Sequence, residues 1–135
     1  MEMQKYALQQ ARSLLGRVAF EARHVVKSAT PDSVHDLRVS IRRLSQCLRA
    51  FRGFFPRGAA KRVRQQLRPV MDEASEVRNR DIAVELSRKA GLPADSPLFT
   101  ELSLERKQAC HLLARCLEQW NDRNRFGKWR SALGL

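Results

Sequence analysis

The sequence predicts an all-α protein: an antiparallel up-and-down four-helix bundle with a short extra C-terminal helix. Three observations carry that prediction. Apolar residues recur at alternating spacings of three and four through four long segments, the pattern of amphipathic helices. Pro and Gly gather between those segments, where they act as turn residues. No stretch alternates apolar and polar residues with the period of two that a half-buried strand needs. At 135 residues, 43% of them hydrophobic, the chain suits one domain with a real core and is too short for two.

The first helix is expected from about Glu2 to Ser28, on Leu8, Ala11, Leu15, Val18, Ala22 and Val25. Thr30-Pro31-Asp32-Ser33 ends it and supplies caps for the next. The second, from about Asp32 to Phe55, has the cleanest stripe: Leu37, Ile41, Leu44, Leu48, Phe51 and Phe55. Phe55-Pro56-Arg57-Gly58 is the following turn. A third helix runs from about Ala59 to Val77 on Val63, Leu67, Val70, Ala74 and Val77, with a bend expected at Pro69. Arg78-Asn79-Arg80-Asp81 either breaks it or caps a continuation to about Ala90. A loop from Gly91 to Pro97 leads to the fourth helix, to about Trp120, on Leu98, Leu102, Ala109, Leu113, Cys116 and Trp120. A short amphipathic tail from Arg123 to Leu133, with Phe126, Trp129 and Leu133, is expected to cover one end of the core.

Charge is unevenly spread. Lys and Arg total 26 against 14 Asp and Glu, a net charge of +12. From Leu37 to Met71 there are ten cations and no anion. On the second helix His35, Arg38, Arg42, Arg49 and Arg52 share one band, roughly 60–160° from the centre of the apolar stripe. Arg57, Lys61, Arg64, Arg68 and Arg78 hold nearly the same offset on the third, and Lys5, Arg12, Arg23 and Lys27 do so less densely on the first. Equal offsets on antiparallel neighbours mirror each other about the seam, so two stripes either converge on one groove or diverge. Sequence leaves that open. An ordinary solvated face mixes signs, because opposite charges at i,i+4 stabilise a helix. A one-signed stripe costs repulsion and points to an anionic partner. Arginine suits phosphate, which its planar fork grips bidentately. On the fourth helix Arg106, Lys107 and Arg115 point different ways and are expected to be solvated.

Other classes find little support. The N-terminal stretch is polar and unlike a signal peptide, and no run approaches the roughly 20 apolar residues of a membrane span. Cys47, Cys110 and Cys116 are odd in number and lack metal-ligand spacing, which predicts reduced thiols in a cytoplasmic protein. There is no Gly-rich phosphate loop, His-Glu-x-x-His or Gly-x-Ser-x-Gly, and acids are scarce where the cations gather, so no catalytic residue, metal ligand or cofactor is expected. Asp81 is expected to cap a helix or orient Arg78, and Asp36 to favour the start of its helix. His24 and His111 read as surface or packing residues.

The run Val34-His35-Asp36-Leu37-Arg38-Val39-Ser40-Ile41-Arg42-Arg43-Leu44 resembles the signature of the conserved histidine α-helical domain, the CHAD family. Ser75-Glu76-Val77-Arg78-Asn79-Arg80-Asp81-Ile82, after Leu67-Arg68, is similar to that family's second motif, Gly-x-x-Arg-Asp-x-Asp-Val, with Ser75 in place of the glycine and Asn79 in place of the first aspartate. Ser45 stands where the family usually has another arginine. The resemblance spans nearly the whole chain. It implies a helical domain that binds inorganic polyphosphate through basic residues, often on polyphosphate granules, with His35, Arg38, Arg42, Arg43, Arg68 and Arg78 at matching positions. Typical members contain two four-helix halves; residues 1–135 have the length of one. Either the chain pairs with itself to rebuild the larger groove, or half a groove suffices, or it is part of something longer. The triphosphate tunnel domain of some members, with its Glu-x-Glu-x-Lys motif, is not seen.

Stripe and resemblance together give the candidate polyphosphate-binding set: Arg12, Lys27, His35, Arg38, Arg42, Arg43, Arg49, Lys61, Arg64, Arg68 and Arg78. The expected binding is electrostatic, strongly salt-dependent and nearly indifferent to chain ends. Two alternatives stay open: a nucleic-acid-backbone binder, and a scaffold whose stripe docks an acidic protein.

Overall fold

A computed structural model of the chain describes residues 2–135. It is all-α, with no strand among the described residues: α1 Glu2–Lys27, α2 Pro31–Ala50, α3 Ala59–Lys89, α4 Pro97–Asp122 and α5 Arg125–Leu133. A single 3-10 turn, Arg52–Phe54, follows α2. Each long helix packs along the next in sequence, whereas α1 and α4 touch only slightly. Among the described residues no helix is long and apolar enough to cross a membrane.

Caps explain the boundaries. The Thr30 hydroxyl accepts from the Ser33 amide at 3.1 Å, and Pro31 occupies the first turn of α2, where its missing N–H costs nothing. The Ser33 hydroxyl donates back to the Ser28 carbonyl at 2.7 Å, tying the two ends of the α1–α2 turn. Thr30→Ala is therefore expected to lower unfolding free energy by about 1 kcal/mol in a urea titration, with Thr30→Ser near the parent. The second helix ends at Ala50, earlier than its stripe predicts, because Gly53 and Pro56 interrupt the repeat and the 3-10 turn takes over. Phe55 is still buried.

The third helix continues unbroken through Pro69 and through the Arg78–Asp81 segment, so the possible break at Arg78–Asp81 does not occur. No Gly or Pro lies between Val70 and Lys89, and Glu76–Arg80 and Glu85–Lys89 are ion-paired one turn apart. The predicted stripes of α2 and α3 face the core, with Phe51 half-buried. The α4 stripe does so only in part. Leu98 is exposed, Leu102 is half-buried, and no residue between Val77 and Ala109 is buried. The reason is axial offset. The α1–α2 turn reaches the level of Asp81 and Arg106, so the last two turns of α3 and the first two of α4 extend beyond it as a paired hairpin.

At the opposite end α5 covers the core, as its pattern predicts. Trp129 and Leu133 are buried. The Trp129 ring meets Trp120 and Phe126 edge to face, with centroids 5.1 and 5.4 Å away, and its indole N–H donates to the Gln66 side chain at 2.6 Å.

Candidate anion-binding groove

The apolar stripes of α2 and α3 face one seam, and their arginine bands meet beside it. Midway along, Arg42, Arg64 and Arg68 line one cavity of about 290 Å³ with Ser45, Asp72 and the edges of Ile41, Leu67 and Met71. Arg64 also lines a second cavity, of about 510 Å³, with Arg52, Arg57 and Lys61. In the other direction Arg38 lies beside both Arg42 and Arg78: burial pushes its guanidinium below the usual arginine range, and repulsion from those two neighbours adds to the effect. Eight cations thus follow one another along the seam: Arg78, Arg38, Arg42, Arg68, Arg64, Lys61, Arg57 and Arg52. From Arg78 to Lys61 the path covers about 25 Å of α3, at 1.5 Å per residue. The stripes converge.

None of these eight is ion-paired among the described residues. Two are held by other means. Arg38 Nε donates to the Ser75 hydroxyl at 3.4 Å, and that hydroxyl donates to the Met71 carbonyl at 2.8 Å. Arg52 donates to the Arg49 carbonyl at 3.1 Å, closing the end of α2. Ser75, where the motif has glycine, gives Arg38 a partner that glycine lacks.

Of the candidate residues, Arg38, Arg42, Lys61, Arg64, Arg68 and Arg78 are brought together in this groove. His35 and Arg49 lie exposed on the same band of α2 but line none of its cavities. Arg43 is exposed one residue round from that band. Arg12 lines a separate hollow on α1 with Lys5, and Lys27 is exposed at the end of α1, so α1 adds nothing to the groove walls. Arg52 and Arg57, outside the candidate set although on the stripes, belong to the groove. Phase had put both on their bands, and the turn between α2 and α3 brings them into one cavity.

Two further expectations need correction. Arg106 is not a solvated charge: its Nε donates to Asp81 at 2.5 Å, a terminal nitrogen donates to the Ala29 carbonyl at 2.8 Å, and the Cys110 sulfur lies 3.5 Å from the other. The hydrogen bond it donates to Asp81 raises the Arg106 pKa against the opposing effect of burial. Asp81 therefore neither orients Arg78 nor caps a helix; it anchors a clasp joining α3, α4 and the α1–α2 turn. The three thiols are free, Cys47 buried and Cys110 and Cys116 half-buried, and burial raises the pKa of each.

Fold and groove together define an all-helical domain with an arginine-lined cleft between its second and third helices. A family model described as CHAD domain matches residues 9–134, nearly the whole chain, and the chain belongs to that family. No curated protein matches it, and no solved structure does.

Proposed function

We propose that this chain binds inorganic polyphosphate along the α2–α3 groove and captures the polymer without transforming it. One observation carries the reading: eight cations from two helices and the turn between them form a continuous path with no ion-pair partner among the described residues. Mutual repulsion along such a path goes unrelieved until an anion arrives, and a linear polyanion meets every member of it at once. The family supports the same ligand, since CHAD domains are associated with polyphosphate binding in general. In this reading the four long helices form an up-and-down bundle with α5 across one end, leaving the α2–α3 seam open on the outside.

Lining residues favour polyphosphate over nucleic acid. The one aromatic in the two groove cavities is Phe55, which is buried, so bases would find no stacking platform. Capture inside a cell would bring the protein to polyphosphate granules wherever these form. A second copy could enlarge the groove by pairing; light scattering in the presence and absence of polymer tests this, a dimer being the expected result and a tight-binding monomer the contrary one.

Displacement of labelled polyphosphate tests the ligand. Single-stranded RNA, duplex DNA and heparin should compete poorly at near-physiological salt and equal phosphate or sulfate concentration; efficient displacement by RNA would overturn the assignment. Neutralisation of eight phosphates predicts that log K falls against log salt with a slope of about −6. A slope near −2 would mean that most of the groove stays empty.

A further inference from the structure

The groove is not alike at its two ends. Beyond Arg78 it opens into a broad cleft of about 970 Å³ under the projecting hairpin, walled in part by Val84, Leu92 and Phe99. At the other end it stops. The cavity lined by Arg52, Arg57, Lys61 and Arg64 is backed by Gly53 and Phe55 of the turn. On the far side of that turn lies a separate hollow, walled by Leu8, Phe54, Pro56 and Leu133 and lined by no cation. The run of cavity-lining cations therefore stops at the turn.

The charge at this end differs as well. Midway along, three arginines share their cavity with the Asp72 carboxylate. The end cavity has four cations and no carboxylate. Arg52 is steadied there by its bond to the Arg49 carbonyl. Gly58, at φ 75°, turns the chain so that Ala60 and Lys61 of the first turn of α3 also face the cavity, and the helix dipole adds to the field. Along a polyphosphate each interior unit carries one negative charge. A terminal phosphate has a second ionisable proton, as phosphate monoesters do, so at neutral pH a chain end carries more negative charge than an interior unit.

We infer that the end cavity holds the terminal phosphate of a polyphosphate chain, so that the protein prefers chain ends to chain interiors. The inference rests on the polyphosphate reading above and revises the expected indifference to ends. A polymer with its end seated beside Arg57 and Lys61 runs along Arg64, Arg68, Arg42 and Arg38 and leaves the groove near Arg78.

The test compares two chains of about eight to ten phosphates, the length that the groove cations neutralise one to one. One has free ends. In the other both terminal phosphates are alkyl phosphoramidates, which removes one charge from each end. Titration calorimetry on the full chain at fixed ionic strength should show the capped polymer binding roughly tenfold more weakly. Arg57→Gln with Lys61→Gln, both at exposed positions, should weaken binding of both polymers but of the free-ended chain more, so that the variant binds the two about equally. Arg57→Lys with Lys61→Arg should keep the preference. Equal affinity of the parent for both polymers would overturn the end pocket and leave the groove standing. Equal losses for both polymers in the Gln variant would overturn it too, by showing a uniform field. If neither polymer binds the parent, the groove reading and the end pocket fall together.

Discussion

Reversing Arg38 and Arg42 together to Glu is expected to weaken polyphosphate binding by about two orders of magnitude, while reversing Lys107 and Arg115 together changes it by about threefold or less. Both variants alter net charge equally, so a diffuse field would give equal losses. The groove makes them unequal. Arg38 and Arg42 are the second and third of the eight cations along the path, where each offers a charge-assisted hydrogen bond of about 1.5–3 kcal/mol and where a carboxylate would repel the polymer. Lys107 and Arg115 are exposed on α4 and line no groove cavity. The fold should survive the α2 reversals, since Arg42 is exposed and a Glu at position 38 would face Arg78. Fluorescence anisotropy with labelled polymer, alongside circular dichroism, provides the comparison. Similar losses from the two variants would remove the groove from the account.

Arg106 is unsuitable as a control, because its effect is on stability. Arg106→Ala is expected to lower unfolding free energy by about 3 kcal/mol, with a fall in melting temperature on the order of 10 °C. The side chains of Arg106 and Asp81 are 26% and 10% exposed, so removing the guanidinium leaves a largely buried carboxylate and the Ala29 carbonyl without their donor. Asp81→Ala should cost a similar amount. Replacing both with Leu should cost less than either single change, because no buried charge is stranded. Urea titrations of the four proteins check this. Additive losses in the double variant would mean that the two residues act independently and that the clasp is not a unit.

Much of the fold was legible in the chain because helix periodicity and turn chemistry are local. The stripes from Leu37 to Leu48 and from Val63 to Val77 face the core as their spacing requires. Thr30 caps α2 as its position before Pro31 suggests. Errors arose where packing overrules pattern. Leu98 fits a stripe but has nothing to cover it, because α1 and α2 stop short of the projecting hairpin. Arg106 looks like any solvated cation on a polar face, and only the arrival of Asp81 and the Ala29 carbonyl from distant parts of the chain shows otherwise.

By itself the sequence determined the all-helical class, the helix order, the one-signed arginine bands and, through two motifs that together span Val34 to Ile82, the resemblance to the family. Each is encoded within a few turns of helix, where geometry follows from residue spacing alone. Tertiary structure decided which way the bands turn: those of α2 and α3 meet, and that of α1 stays apart. It also decided that the path stops at the Arg52–Gly58 turn and that Asp81 serves Arg106 instead of Arg78. Rotation of one helix about another depends on how side chains far apart in sequence interlock, and helical phase within a single rod carries no information about that.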